Sequence, residues 1–150
     1  MKVVIDLKEA IARAQPALQQ RVHQLRVRLD ETFVEGCVGE LAQHLLARAG
    51  EIGGCPIIGL SGAQGAGKST LAWLLSDLLT HGFGKRVVVV SLDDYYLSQS
   101  ERLTLAERVH PLLRTRGVPG THAHPGIACC VATTARRSSV RAPALRQVDR

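Results

Sequence analysis

The residues Gly62-Ala63-Gln64-Gly65-Ala66-Gly67-Lys68-Ser69 carry the densest chemistry in the sequence. They match G-x-x-x-x-G-K-[ST], and each fixed position has a mechanical reason. The glycines let the backbone curl so that successive N–H groups converge on phosphate oxygens with no Cβ in the way. Lys68 brings a mobile positive charge to the β- and γ-phosphates, and Ser69 offers a hydroxyl to Mg²⁺. The helix that follows adds the positive end of its dipole to the field. The expectation is that Gly62 to Thr70 bind nucleotide phosphates, with Lys68 also catalytic and Ser69 the metal ligand. The bland alternative is a glycine-rich turn. At ordinary residue frequencies such a match arises by chance in roughly one of two hundred chains of this length.

Two carboxylates, Asp93 and Asp94, follow in Ser91-Leu-Asp-Asp-Tyr-Tyr-Leu97. At the C-terminal edge of a strand, where open α/β sheets bind ligands, either could accept the proton of an attacking hydroxyl or hold Mg²⁺ through water. An Asp pair after a strand also serves as turn chemistry. Further on, His110-Pro-Leu-Leu-Arg-Thr-Arg-Gly-Val-Pro-Gly-Thr-His122 offers Arg114 and Arg116, which could fork onto a carboxylate or phosphate. His110 or His122 could hydrogen-bond hydroxyls, and Gly117 with Pro119-Gly120 dictates a tight turn. A small hydroxy acid would suit this set, and each of these side chains could equally be a solvated loop residue.

These groups need elements to position them. Apolar residues at Ile11, Leu18, Val22, Leu25 and Leu29 mark an amphipathic helix, which Pro16 should interrupt and restart. A second helix is expected from about Phe33 to Ala49, opened by Thr32 and Glu35 at capping-box spacing and stopped by Gly50. Pro56-Ile-Ile-Gly-Leu60 and Arg86-Val-Val-Val-Val-Ser-Leu92 read as buried strands on either side of a helix from Leu71 to Leu79 that stops near Gly82. Strand, loop, helix, strand is a βαβ unit, so the expected fold class is α/β, an incomplete P-loop parallel sheet preceded by N-terminal helices. Ser98 and Glu101 should cap a short helix through Arg108.

Composition bounds the rest. At 150 residues one domain is expected, and 3% aromatic content makes its core aliphatic. The formal charge is +6, but residues 1–116 hold 14 Lys and Arg against 12 Asp and Glu, whereas 117–150 hold 5 against 1. The excess therefore sits in an Arg-rich tail, expected to be solvated, and no specific nucleic-acid partner is expected. Cys37, Cys55, Cys129 and Cys130 show no metal-ligand spacing and read as reduced thiols. No apolar run approaches the ~18 residues of a membrane span, so a cytoplasmic location without a membrane partner is expected. A GTPase switch is disfavoured: the sequence has no Asn, hence no guanine-reading N-K-x-D, and no D-x-x-G.

The phosphate loop, then SLDDYYL, then RLTLAERVHPLLRTRGVPGTH together resemble D-glycerate 3-kinase and its kinase-like relatives in the phosphoribulokinase and uridine kinase group of P-loop kinases. The resemblance covers roughly Ile57 to His122. It implies an ATP- and Mg²⁺-dependent kinase that transfers a phosphoryl group to a small glycerate-like acceptor, with Asp93 the base toward the acceptor hydroxyl. Tyr95 and Tyr96 match the family's aromatic pair, with Tyr in place of Phe at 95. Asp94, Tyr96, His110, Arg114 and Arg116 are then the candidate acceptor-binding residues.

Three regions follow: an N-terminal helical segment 1–52, a partial kinase core 53–122, and a tail 123–150 outside the family pattern, expected to be disordered. After Gly120-Thr-His122 the family continues with Asp, a helix and a strand ending in a motif resembling RFDKS, which this chain lacks along with the lid and adenine pocket. Codons permitted for Ala142 to Arg150, read one nucleotide later, can spell LPRFDKST, so a truncation or frameshift after His122 is expected. A chain so interrupted should be weak or inactive in phosphoryl transfer, which leaves a non-catalytic ATP-binding fragment as the other functional reading.

Overall fold

In the computed structural model, which describes residues 5–52 and 56–123, helices carry the architecture. The chain divides into two compact units, Met1–Val89 and Val90–Arg150. In the first unit, α1 spans Leu7–Leu25, and a π-helical stretch Phe33–Gly39 runs on into α2, Glu40–Ile52. Then α3 spans Lys68–Asp77 and continues as a π-helical stretch, Leu78–Gly82. In the second unit a 3₁₀ turn Leu92–Tyr95 precedes α4, Gln99–Arg108, and a second 3₁₀ turn Pro111–Arg114 follows it.

Helices are present at the N-terminus, with starts and stops that differ from those expected, but the expected parallel sheet is absent from the described residues. Among the described residues there is no strand, and the one β-type pairing is an isolated antiparallel bridge between Tyr96 and His122. Pro56 to Leu60 and Arg86 to Ser91 are irregular, and Leu92 opens the 3₁₀ turn. Several of their apolar side chains face solvent, Ile57 76% exposed and Leu92 62%, while Val87 packs against the core. A strand is completed by the N–H and C=O groups of a neighbour, and a run of β-branched residues reports only a local preference. Asp93 and Asp94 therefore stand in a 3₁₀ turn and not at a strand end. Residues 124–150, which hold Cys129 and Cys130 and most of the tail, lie outside the described residues.

The core of the first unit is aliphatic, as 3% aromatic content requires. Ala10, Ala14 and Leu18 lie four apart on α1 and meet Val38, Ala42, Leu74, Leu75, Leu78 and Leu79. Burial of each large aliphatic side chain contributes about 1.5–3 kcal/mol, with Leu74, Leu78 and Val38 fully enclosed. That stripe explains why α1 runs straight through Pro16. The proline and Ala12, whose carbonyl loses its intrahelical partner, are both exposed, while Ala10 and Leu18 anchor the helix on either side.

The start of the next helix also departs from expectation. Thr32 makes no side-chain cap, and the Asp30 carboxylate accepts from the Thr32 N–H at 2.9 Å instead. Hydrogen bonds from Thr32 hold the Asp30 carboxyl below its ordinary range. The helix passes Gly50 and ends at Ile52.

A part-buried ion pair pins α1 to α3. Arg21 Nε donates to Asp77 Oδ2 at 2.8 Å and Nη2 to Oδ1 at 3.2 Å, while its guanidinium lies 4.7 Å from the Trp73 ring centroid. Hydrogen bonding to the Asp77 carboxylate raises the Arg21 pKa further above its already high ordinary value. At the end of the π-helical stretch, Gly82 packs against the backbone of α1, and a Cβ there would come 2.6 Å from the Ala10 carbonyl oxygen. Gly82→Ala should gain ~0.5–1 kcal/mol of helix preference. It should lose more, ~1–3 kcal/mol or above, because a backbone atom cannot rotate away. A lower denaturation midpoint at unchanged m-value is the expected result.

The N-terminus of α4 matches the sequence reading. The Ser98 Oγ accepts from the Glu101 N–H at 3.3 Å, and a Glu101 carboxylate oxygen accepts from the Ser98 N–H at 2.8 Å. Hydrogen bonds from Ser98, side chain first, lower the Glu101 pKa. A carboxylate whose folded pKa is depressed stabilises above its unfolded value and stops doing so as pH falls through the folded one. Hydrogen-exchange protection in the first turn of α4 should accordingly be full at neutral pH and decline below the ordinary glutamate range, and Glu101→Ala should remove that dependence. Among the described residues no helix is long and apolar enough to cross a membrane.

Candidate functional site

The loop Gly62 to Gly67 leads directly into α3. Gly65 and Gly67 both adopt φ of 78°, a left-handed conformation that side chains strain to reach. The Ala66 N–H donates to the Ala63 carbonyl at 3.2 Å, closing a turn across Gln64 and Gly65. Gly67 serves as the cap of α3 with no side chain hydrogen-bonding the helix start, and the first helical bond runs from Leu71 N–H to the Gly67 carbonyl at 2.9 Å. The N–H groups of Lys68, Ser69 and Thr70 thus form the positive end of a helix whose far end is locked by the core and the Arg21–Asp77 pair.

Lys68 folds back over the loop. Its Nζ donates to the Gly62 carbonyl at 2.9 Å and the Ala63 carbonyl at 2.6 Å. Its stem passes 3.6 Å from the position of a Cβ on Gly62, an ordinary contact. At Gly65 and Gly67 it is the backbone angle, and not space, that calls for glycine. Ser69 is exposed and Thr70 half-buried.

The other predicted site residues belong to the second unit. The Ser91 Oγ accepts from the Asp93 N–H at 3.3 Å, and the Asp94 N–H donates to the Ser91 carbonyl at 3.2 Å. Ser91 therefore caps this turn, and both carboxylates are exposed. Next to the turn, the Leu97 N–H donates to the Thr121 carbonyl at 2.8 Å and the Ala123 N–H to the Tyr95 carbonyl at 2.7 Å. This pairing lays Tyr96 on His122, with ring centroids 4.0 Å apart and planes tilted by 31°. The Arg116 guanidinium lies 5.9 Å from the Tyr96 ring centroid. Tyr96, Arg116 and His122 are thus brought together. His110 takes another role, its Nδ1 accepting from the Leu112 N–H at 3.2 Å at the start of the second 3₁₀ turn.

The element that holds this arrangement was not foreseen. Arg102, only 8% exposed, donates from Nε to the Leu97 carbonyl at 3.2 Å and from Nη1 to the Arg114 carbonyl at 2.6 Å. One planar guanidinium so ties the segment after Tyr96 to the segment before Arg116. The Arg114 side chain itself is exposed. Val118 to Thr121 form the expected tight turn, with Thr121 N–H donating to the Val118 carbonyl at 3.1 Å and Gly120 at φ 93°. Among the described residues no cluster of His, Cys, Asp and Glu could by itself hold a metal ion.

No protein-family model and no solved structure matches the chain. Two curated proteins do. The chain is 48% identical over 68 residues, 44% of its length, to the uncharacterized kinase mug58 of Schizosaccharomyces pombe. It is 40% identical over 73 residues, 45% of its length, to the probable ATP-dependent kinase TDA10 of Saccharomyces cerevisiae. The matches span 24% and 25% of those two proteins, so what the chain is similar to is about a quarter of each of two proteins named as kinases.

Proposed function

We propose that this chain serves a cytoplasmic, ATP-dependent small-molecule kinase that transfers the γ-phosphoryl group of ATP to a hydroxyl of D-glycerate or a similar small acid. The observation that carries the reading is the loop at Gly62 to Thr70, with two left-handed glycines, an α-helix start that no side chain caps, and a lysine lying over it. Similarity to two proteins named as kinases supports it. In this reading the loop N–H groups hold the phosphates, and Lys68 exchanges the carbonyls of Gly62 and Ala63 for phosphate oxygens, which are stronger acceptors. Magnesium takes oxygen ligands, and the exposed Ser69 hydroxyl in the first turn of α3 fits that requirement. Ser69 would hold the ion, which when bound supplies neutralisation of phosphate charge. Asp93 takes the proton of the acceptor hydroxyl, and exposure of its carboxylate leaves it able to meet a substrate.

Calorimetric titration with ATP and Mg²⁺, followed by ADP release with and without D-glycerate, tests the two halves separately. Saturable ATP binding is expected, with an ADP release that rises with glycerate but stays weak, as the interruption after His122 requires. No ATP binding would overturn the nucleotide assignment. Binding without acceptor-dependent release, for glycerate and related hydroxy acids alike, would leave an ATP-binding protein that is not a kinase.

A further inference from the structure

We infer that the apolar groove of the second unit, flanked by unpaired arginines, is a docking surface for an acidic amphipathic helix of another protein.

The groove follows from the way α4 stops. The N–H groups of Val109 and His110 both turn to the Leu105 carbonyl, at 2.9 and 3.4 Å, and Pro111 has no N–H with which to continue the helix. The chain enters the 3₁₀ turn Pro111–Arg114 instead, and the tight turn that follows lays Gly120 against Leu113. Leu105, Val109, Leu112, Leu113, Val118 and Pro119 thereby wall a groove of about 440 Å³. Arg102 fixes its shape, because a side chain of α4 holds the Arg114 carbonyl at the end of the 3₁₀ turn. Val109 is 70% exposed and Leu112 61%, so this apolar surface meets solvent.

Charge selects the partner. Arg108 immediately precedes Val109 and Arg114 immediately follows Leu113, so the lining residues are flanked by cations. Both arginines are exposed, and the ion pairs among the described residues all lie in the first unit, which leaves these two guanidinium groups without a carboxylate there. From Leu103 to Ala123 the sequence holds three arginines and two histidines against one acid, Glu107. His110 also lines the groove, and because its Nδ1 accepts from the Leu112 N–H, its Nε2 carries the proton and is a further donor. An apolar floor edged by donors and cations complements a helix with leucine-type side chains at every third or fourth position and carboxylates beside them. A second copy of the chain is a poor match, since a two-fold contact would set this basic rim against itself. An anionic membrane is also a poor match, because a surface that lies in lipid must project its apolar face, and this one is concave.

The test is fluorescence anisotropy of a labelled synthetic peptide of about four helical turns, with leucines on one face and glutamates flanking them, titrated with the 150-residue chain. Saturable binding that weakens as salt rises is expected, and a peptide with lysine in place of every glutamate should not bind. Leu112→Asp puts a carboxylate on the apolar wall and Arg108→Glu reverses a flanking charge, and each should raise the peptide Kd by about tenfold or more. ATP affinity should be unchanged in both. Each residue is exposed, so both variants should keep the wild-type thermal melt. They belong to different elements, and one remains to decide the matter if the other fails to fold. No saturable binding, equal binding of the lysine peptide, or a wild-type Kd in a folded variant each overturns the proposal. So does preferential binding to phosphatidylserine vesicles, or a dimer that Leu112→Asp abolishes, which would assign the groove to a membrane or to a second copy.

Discussion

Lys68→Ala should lower the affinity of the chain for ATP by about 10²-fold or more, because hydrogen bonds to charged groups contribute ~1.5–3 kcal/mol each and the ammonium can make two. In the structure those two bonds go to the carbonyls of Gly62 and Ala63, at 2.9 and 2.6 Å. The variant therefore loses a cation already aimed across the loop, and two carbonyl dipoles are left facing any phosphate that arrives. The N–H groups at the start of α3 remain and set the residual affinity. Stability should change little, since the ammonium bonds carbonyls of an exposed loop while the packing of α3 rests on Leu74, Leu75 and Asp77 farther along the helix. Lys68→Arg tests geometry separately from charge: a planar fork on a longer arm does not reproduce a compact ammonium, so only partial recovery is expected. Calorimetry with ATP and Mg²⁺, paired with a thermal melt, reads both quantities. A wild-type ATP Kd in Lys68→Ala would remove the reason for assigning nucleotide chemistry to this loop.

What could be read from the sequence was what adjacent residues decide among themselves. Gly65 and Gly67 are where a loop needs left-handed backbone, Ser98 and Glu101 satisfy each other across a single helical turn, and Pro119-Gly120 sets a tight turn from two residues. The misreadings involve partners distant in the chain. Pro16 carries a genuine local penalty, yet burial of Ala10, Ala14 and Leu18 on α1 outweighs it. Thr32 and Glu35 have the right spacing, but the Asp30 carboxylate takes the Thr32 N–H that Glu35 would have bonded. The valine-rich run from Arg86 has the composition of a strand, and a strand forms only with a neighbour, which composition does not contain.

The same distinction applies to the candidate site. The glycine-rich loop is contiguous, so its left-handed turns could be expected from its own residues. Arg102, in contrast, acts through the carbonyls of Leu97 and Arg114, and a bond to a carbonyl leaves no trace in the identity of the residue that supplies it. The Arg21–Asp77 pair spans 56 positions and could not be inferred from spacing. The sequence presents His122 only as one of two histidines that could bond a hydroxyl, and backbone pairing is what sets it against Tyr96.

In a full-length enzyme carrying this segment, Asp93→Asn should cut glycerate-dependent ADP release by ~10²-fold or more without changing ATP affinity, since an amide keeps the shape of the carboxylate but cannot accept the hydroxyl proton. The turn itself should survive, because its hydrogen bonds use the backbone N–H groups of Asp93 and Asp94, with Ser91 supplying both acceptors. Asp94→Asn keeps the same turn and should cost less, which makes the pair a comparison of two neighbouring carboxylates on one backbone. If charge alone mattered, by raising the local concentration of Mg²⁺ or repelling the product, the two substitutions would have similar effects. A proton acceptor must instead stand within hydrogen-bond reach of one hydroxyl, and two consecutive side chains in a 3₁₀ turn of three residues per turn point about 120° apart, so only one can do so. A larger loss for Asp94→Asn would move the base to that residue, and equal losses would replace proton transfer with an electrostatic role for the pair.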